Sequence, residues 1–351
     1  MKFLIERIYI HYPFCKRICY YCDFYKVRYK KEYEKAYLEK LKKEIKEIKK
    51  TYKIKPLSSL YLGGGSPSIA SYSFFDLVFS SFSLKSNSEV SLEVNIEDIS
   101  KDFLSLIKNY PINRISLGIQ NFKEKYSNFL GRNIDVKLIY KALELISKNF
   151  ENLSLDLLIL GLEKDEFEEN KKILKDVLEK FNIKHISLYI LTIYKNTYLY
   201  KKYSNIKRNY IDLTYQKYQK FLKENFFFQY EVSNFAKPNF LCQHNLAYWL
   251  FENYLGLGPS ASSLIKIKGD FISKVNENKL DYDFKFEKIN FETYLYFRFR
   301  TFFGVPFRYL KNKKFLKDFL DKNLITLDNK NIKVTSKGYL FLDYIFNRLF
   351  I

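Results

Sequence analysis

Three cysteines stand within eight residues in the run His11-Tyr12-Pro13-Phe14-Cys15-Lys16-Arg17-Ile18-Cys19-Tyr20-Tyr21-Cys22-Asp23-Phe24. Thiolates are soft ligands that select zinc, copper(I) or iron–sulfur clusters, and one short loop with this spacing can surround a single cubane. A closed zinc site needs a fourth ligand. His11 or the distant Cys242 would have to supply it, and neither gives a recognised finger spacing. A redox pair would use only Cys19 and Cys22 and leave Cys15 unexplained. A four-iron cluster on three thiolates keeps one iron open for a further ligand.

A second run, Gly63-Gly64-Gly65-Ser66-Pro67-Ser68, lets backbone approach a ligand closely and fixes its exit with a proline. A tight strand-to-helix turn would use the same residues. The run is not a dinucleotide fingerprint, because it is too compact and Ser68 stands where the third glycine is required. Glu93, Asn95, Gln120 and Asp156 are polar residues at or near the ends of apolar runs. Each alone could cap a helix or satisfy a core hydrogen bond.

The elements that must position these groups follow from periodicity. Short apolar runs at 8–11, 59–62, 90–94, 114–117, 153–159 and 185–191 read as strands, and amphipathic stretches at 33–50, 71–82, 99–108, 136–148 and 166–181 as helices. Six such units imply an α/β fold whose parallel sheet curls into a partial, TIM-like (β/α)6 barrel, with chemistry at the C-terminal strand ends. The cysteine run follows the first strand and the glycine run the second, so all these groups would line one mouth. A helix at 215–225 and a strand near 230–232 complete a core domain over 1–234. A loop-rich connection spans about 235–262, and the remainder of 235–351 reads as a smaller α+β domain. Its helices at 291–301, 315–323 and 336–349 and extended pair at 324–326 and 332–334 resemble a winged helix. No cluster of Arg or Asn marks a recognition helix there, so a structural cap is expected. No repeat of fixed period and no low-complexity tract is found.

Composition sets the outer bounds. The chain has 351 residues, 60 Lys and Arg against 39 Asp and Glu for a net charge of +21, and 47% hydrophobic residues. Its 34 Phe and 31 Tyr, against 11 Gly and 7 Pro, exclude disorder and collagen-like structure. Four Cys in such a length exclude a disulfide scaffold. The uncharged stretch 56–75 is broken by Gly and Pro, and the first seven residues hold no leader-type apolar region, so a cytoplasmic protein is expected. The positive charge is spread along the chain, so no nucleic-acid partner is expected, although a nucleic-acid-binding or nucleic-acid-modifying protein is the alternative from another class.

The cysteine spacing at the end of the first strand resembles the radical S-adenosylmethionine (radical SAM) superfamily. That resemblance implies a [4Fe-4S] cluster on Cys15, Cys19 and Cys22 whose open iron chelates S-adenosylmethionine, with Gly64, Gly65 and Ser66 in the glycine motif beside the methionyl amino group. It also implies ligand contacts from Glu93, Gln120, Arg132 and Asp156, and flanking contacts from Tyr9 and Tyr21. Within the superfamily, the stretches 230–238, His244-Asn245-Leu246-Ala247-Tyr248-Trp249 and 254–259 resemble the HemW-type heme chaperones, relatives of oxygen-independent coproporphyrinogen III oxidase. Such proteins bind heme as cargo and pass it to client hemoproteins, often at the membrane, with cluster-promoted dimerisation.

The resemblance implies heme contact from His244, Asn245, Tyr248 and Trp249, an imidazole and two aromatic faces suited to a macrocycle. His244 is the expected axial ligand and Cys242 its competitor, while His11 and His185 read as packing residues. The oxidase carries a further Cys where this chain has Phe24, and a long N-terminal extension where about seven residues precede the first strand here. Loss of the oxidase reaction is therefore expected, with coproporphyrinogen decarboxylation as the alternative activity, and no catalytic residue is assigned. The chain departs from the family pattern at Ile96, at Asn133, at Glu163-Lys164 and at Ser262.

Overall fold

The computed structural model describes residues 3–267, 270–328 and 330–351; Met1 and Lys2, the start of the stretch read for a leader, lie outside them. Six strands follow one another along the chain: Leu4–Tyr12, Lys53–Gly64, Leu84–Asn95, Arg114–Gln120, Asn152–Ile159 and Ile183–Ile190. Each pairs in parallel with the next. Helices Lys31–Thr51, Tyr72–Ser81, Lys101–Ile107, Val136–Ser147 and Glu166–Lys180 make the crossovers, and Ile211–Glu224 follows the sixth strand. The first strand begins four residues earlier than its apolar run, because a register shift between Ile5 and Arg7 places Glu6 and Arg7 together between buried Ile5 and Ile8 and breaks the alternation.

One pattern recurs in five successive strands. Ser59-Leu60-Tyr61, Ser91-Leu92-Glu93, Ser116-Leu117-Gly118, Ser154-Leu155-Asp156 and Ser187-Leu188-Tyr189 each place a Leu in the apolar core under the helices. Alternation along a strand then turns the residues on either side of that Leu to the opposite face. Tyr9 of the first strand and Tyr189 of the sixth line the same cavity as Tyr61, Glu93 and Ser116. A flat sheet would hold strands this far apart in the order too distant for that. The sheet is therefore curled, with a polar and aromatic lumen inside and an aliphatic layer outside.

Residues after the sixth strand complete both edges. Leu255–Leu257 lies parallel beside the first strand. Asn234–Ala236 runs antiparallel to the sixth, with Phe228–Gln229 outside it. Residues on both sides of position 234/235 thus share one sheet. The connection expected to be loop also contains the helix Gln243–Trp249, whose start is held by a carboxylate from elsewhere in the chain.

The strands Ser262–Ile267, Asp270–Asn276 and Phe284–Ile289 form an antiparallel meander that the sequence reading did not anticipate. Its last strand is almost wholly exposed, and its Phe284-Lys285-Phe286-Glu287 alternation is too short to stand out from the charged residues around it. The terminal unit holds helices Phe291–Phe299, Leu316–Asp321 and Leu342–Phe350 and a small sheet of Val305–Pro306, Asn331–Val334 and Ile325–Leu327. Phe299, Phe319, Ile345 and Phe346 form its own core, as a winged-helix-like element requires. Among the described residues no helix is long and apolar enough to cross a membrane.

Candidate functional site

The three cysteines of the 15–22 loop are free thiols. They line one cavity of about 350 Å³ together with Tyr21, Gly64, Gly65, Ser66, Glu93, Gln120, Arg132 and Asp156. Backbone hydrogen bonds explain how motifs so far apart in sequence meet. Gly65 N–H donates to the Tyr12 carbonyl at 2.7 Å and Ser66 N–H to the Phe14 carbonyl at 2.8 Å, which ties the glycine turn to the start of the cysteine loop. Tyr20 N–H donates to the Leu130 carbonyl at 3.0 Å, tying the other end of the loop to Leu130-Gly131-Arg132.

The glycines make these approaches possible. A Cβ on Gly65 would meet the Phe14 carbonyl oxygen at 2.8 Å, and Gly64 holds φ +110° with its missing Cβ facing the His11 ring. The close approach that these glycines allow is to the chain's own cysteine loop.

Burial pushes the Cys15 thiol up to about 12 and the Cys22 thiol up to about 11, and raises Cys19 as well. The Ser66 hydroxyl opposes the shift at Cys15, and nearby Lys26 lowers both Cys15 and Cys22. Buried thiols of this kind ionise only beside strong positive charge, which a bound metal centre supplies. Among the described residues no three His, Cys, Asp or Glu side chains converge closely enough to share one metal ion. Three thiols spread around a cavity wall suit a body larger than a single ion.

The strand-end residues are held by specific partners. The Glu93 carboxylate accepts from Gly64 N–H and the Tyr61 hydroxyl, both at 3.0 Å. Burial, reinforced by the Asp156 carboxylate, raises its pKa to about 7. Asp156 accepts from the Ser116 hydroxyl at 3.0 Å and is also raised by burial. Arg132, only 3% exposed, donates to Asn95 at 3.0 Å and Glu97 at 3.1 Å. Gln120 adopts φ +65°, a left-handed conformation uncommon for a non-glycine residue and frequent where function constrains the backbone. Tyr9 does not join this group. Its hydroxyl pairs with His11 Nδ1 at 3.0 Å, and His11 Nε2 pairs with the Tyr25 carbonyl at 2.9 Å, so it backs the cysteine loop from the lumen side.

A second cavity, about 340 Å³, occupies the lumen and shares the walls Phe24, Tyr61, Glu93, Ser116 and Tyr189 with the first. Helix Gln243–Trp249 contributes His244, Asn245 and Tyr248 to it, beside Cys242. Glu89 fixes this helix by accepting from Gln243 N–H at 2.8 Å and His244 N–H at 3.0 Å, and from the Cys242 thiol at 3.4 Å. Both ring nitrogens of His244 are engaged, Nδ1 with the Ser59 hydroxyl at 2.7 Å and Nε2 with the Tyr248 hydroxyl at 2.8 Å. Burial lowers its pKa to about 3, so the ring is neutral.

Burial likewise pushes Cys242 up to about 12. Trp249 is not in this cavity: its ring lies under the Arg300 guanidinium at 4.6 Å and against Phe297 at 5.3 Å. His185 is a packed residue, bonded to Ser154 and Tyr230. Sequence reasoning missed Glu89, Arg114 and the lumen serines. The Ser-Leu repeat across five strands was the available signal, hidden by its irregular intervals.

The sequence profile of the Radical SAM superfamily matches residues 9–177, the stretch that carries the cysteine loop, the glycine turn and the strand-end residues. The fold resembles that of coproporphyrinogen III oxidase (HemN) from Escherichia coli, with a TM-score of 0.77 and 19% identity across 99% of this chain and 89% of that one. Fold and profile define a radical SAM protein with HemN-like architecture. The chain is 32% identical to the heme chaperone HemW of Buchnera aphidicola subsp. Schizaphis graminum over 95% of its own length and 91% of that protein's. It is 28% identical to HemW of Lactococcus lactis over 97% and 96%. This chain belongs to the HemW heme chaperone family.

Proposed function

We propose that Cys15, Cys19 and Cys22 hold a [4Fe-4S] cluster, that S-adenosylmethionine lies across the same cavity, and that the protein binds heme and delivers it to client hemoproteins. The carrying observation is that three free thiols, the glycine turn and polar side chains from separate strands line one cavity. The donor chemistry fits, since Lys26 and Arg132 favour the thiolate forms that burial opposes, and thiolates are the ligands an iron–sulfur body needs.

When bound, the cluster supplies electron transfer to a sulfonium, the chemistry of the superfamily. The chain's own residues divide the remaining work. Gly64 to Ser66, whose N–H groups are taken by Glu93, Tyr12 and Phe14, would offer carbonyl oxygens to an ammonium group, Glu93 would offset positive charge beside them, and Gln120 and Asp156 would offer hydrogen bonds to hydroxyl groups. Arg132, locked by Asn95 and Glu97, keeps the loop around Cys19 and Tyr21 electropositive. Tyr9 acts through His11 on the back of the cysteine loop.

Heme contact is assigned to His244, Asn245, Tyr248 and Trp249. In the present arrangement this requires a His244 ring nitrogen to give up Ser59 or Tyr248 and Trp249 to leave its packing against Arg300, so heme loading is coupled to a rearrangement around this helix. The +21 charge supports contact with heme propionates and with an anionic membrane surface. A cytoplasmic setting and cluster-dependent pairing of two copies belong to the same reading. Anaerobic reconstitution followed by parallel assays tests it: the expected result is a Soret band on heme addition without turnover of coproporphyrinogen III. Turnover would replace the chaperone reading by the decarboxylase one.

A further inference from the structure

Arg114 opens the fourth strand and is only 2% exposed. Its guanidinium Nε and Nη1 have no hydrogen-bond partner among the described residues, and the side chain lines the lumen cavity. A buried arginine stays charged, and leaving its donors unpaired costs far more than leaving a neutral group so. The neighbouring carboxylates have other partners: Glu89 binds the start of helix Gln243–Trp249, Glu93 binds Gly64 and Tyr61, and Asp156 binds Ser116. Asn245, which lines the same cavity, brings Nδ2 as a second buried donor without a partner among the described residues. Five tyrosines, Tyr9, Tyr61, Tyr189, Tyr248 and Tyr254, give the wall aromatic surface, set among polar residues that include Ser116, Ser187 and Asn234.

We propose that this lumen cavity is a second ligand site, distinct from the S-adenosylmethionine cavity, that takes a carboxylate on an apolar body. Arg114 is its anion-binding residue and Asn245 its second donor. A guanidinium fork matches two carboxylate oxygens, and the tyrosine walls match a flat or aliphatic body. Asn245 and Tyr248 are also among the residues assigned to heme contact, so the site rests on that reading only where the carboxylate is a heme propionate. The carboxylate can come from a free organic acid or from the propionate arm of a tetrapyrrole, and the two sources share the chemistry that Arg114 reads.

The test uses the anaerobically reconstituted protein and 3-phenylpropionate as probe, with its amide as the uncharged control, at fixed ionic strength and with ligand-observed magnetic resonance as readout. The acid is expected to bind at least about tenfold more tightly than the amide, with saturating S-adenosylmethionine present or absent, and Arg114→Gln is expected to lose about tenfold or more. Circular dichroism and iron content report whether the variant folds. Should Arg114→Gln not fold, Asn245→Leu, at a half-buried position, is expected to weaken the acid and leave the amide unchanged.

Equal binding of acid and amide, undiminished binding by the folded variants, or full displacement of the acid by S-adenosylmethionine would each overturn the proposal, the last because the carboxylate site would then be the cosubstrate's own. Competition by heme but not by its dimethyl ester would identify a propionate arm as the source. Binding of the acid without competition by heme would identify a free acid.

Discussion

Cys15 is nearly enclosed whereas Cys19 and Cys22 are part-exposed, yet all three face one cavity, and Cys242 lies in the other. Replacing any of the first three by Ala should bring iron and acid-labile sulfide in reconstituted protein down to background, while Cys242→Ala should retain both. Full iron retention after loss of Cys19 would remove the cluster assignment. The strand-end carboxylates make a parallel prediction. Glu93 is tied to the glycine turn and Asp156 to Ser116, so their effect on a ligand is local. A Glu93→Ala, Asp156→Ala double variant should bind S-adenosylmethionine roughly 10–100-fold more weakly by calorimetry, the scale of losing charged hydrogen bonds. Unchanged affinity would mean that the cosubstrate lies elsewhere. The cysteine spacing and the glycine run were legible in the sequence because short-range spacing is itself the chemistry. Arg114 was not, because its significance lies in the partners it lacks, and only packing shows those.

At the level of elements, the glycine turn and the cysteine loop act as one unit, and Gly65 is the joint. Its missing Cβ would sit 2.8 Å from backbone atoms of Pro13 and Phe14, which cannot rotate aside as a side chain could. Gly65→Ala should therefore displace the cysteine loop and cost about 1–3 kcal/mol of stability, with lower cluster occupancy than a surface Ala control shows. Helix Gln243–Trp249 makes a different prediction. If His244 is the heme ligand, freeing its ring nitrogens should help, so Ser59→Ala and Tyr248→Phe should tighten heme binding in a Soret titration, and His244→Ala should abolish it. Tighter binding that survives His244→Ala would move the ligand off this helix. The six strand–helix units were readable because each strand carries its core-facing aliphatic residues in one short run followed by an amphipathic helical stretch. This seven-residue helix was not readable. It is too short for a period and starts only because Glu89, far away in sequence, receives its free N–H groups.

On the scale of the whole molecule, the barrel and the terminal unit meet at a seam built on Glu231. Residue 231 bridges to Thr301, Val232 N–H donates to the Arg300 carbonyl at 3.1 Å, and Phe302 N–H donates to the Tyr230 carbonyl at 2.9 Å. Arg300 in turn covers Trp249, so the seam also borders the helix assigned to heme. The winged-helix-like unit was visible in the sequence from its own helices and strands, but this joint was not, since a lone Glu in a polar stretch carries no sign of burial.

Glu231 is fully buried, one of its carboxylate oxygens has no partner among the described residues, and burial raises its pKa to about 7 against the opposing charge of Arg300. A carboxyl raised in the folded state holds its proton more tightly there than in the unfolded chain. Its favourable contribution is complete below the ordinary value of 4.5 and is lost as pH rises through about 7, on the order of 3 kcal/mol in all. Glu231→Gln keeps the shape and the acceptor for Ser233 N–H while removing the titration. Urea midpoints measured at pH 5 and pH 8 should therefore fall less for the variant than for the wild type. Other groups, Glu93 among them, titrate alike in both proteins and cancel in the comparison. Identical pH dependence in the two would show that Glu231 remains ionised at the seam, held there by Arg300.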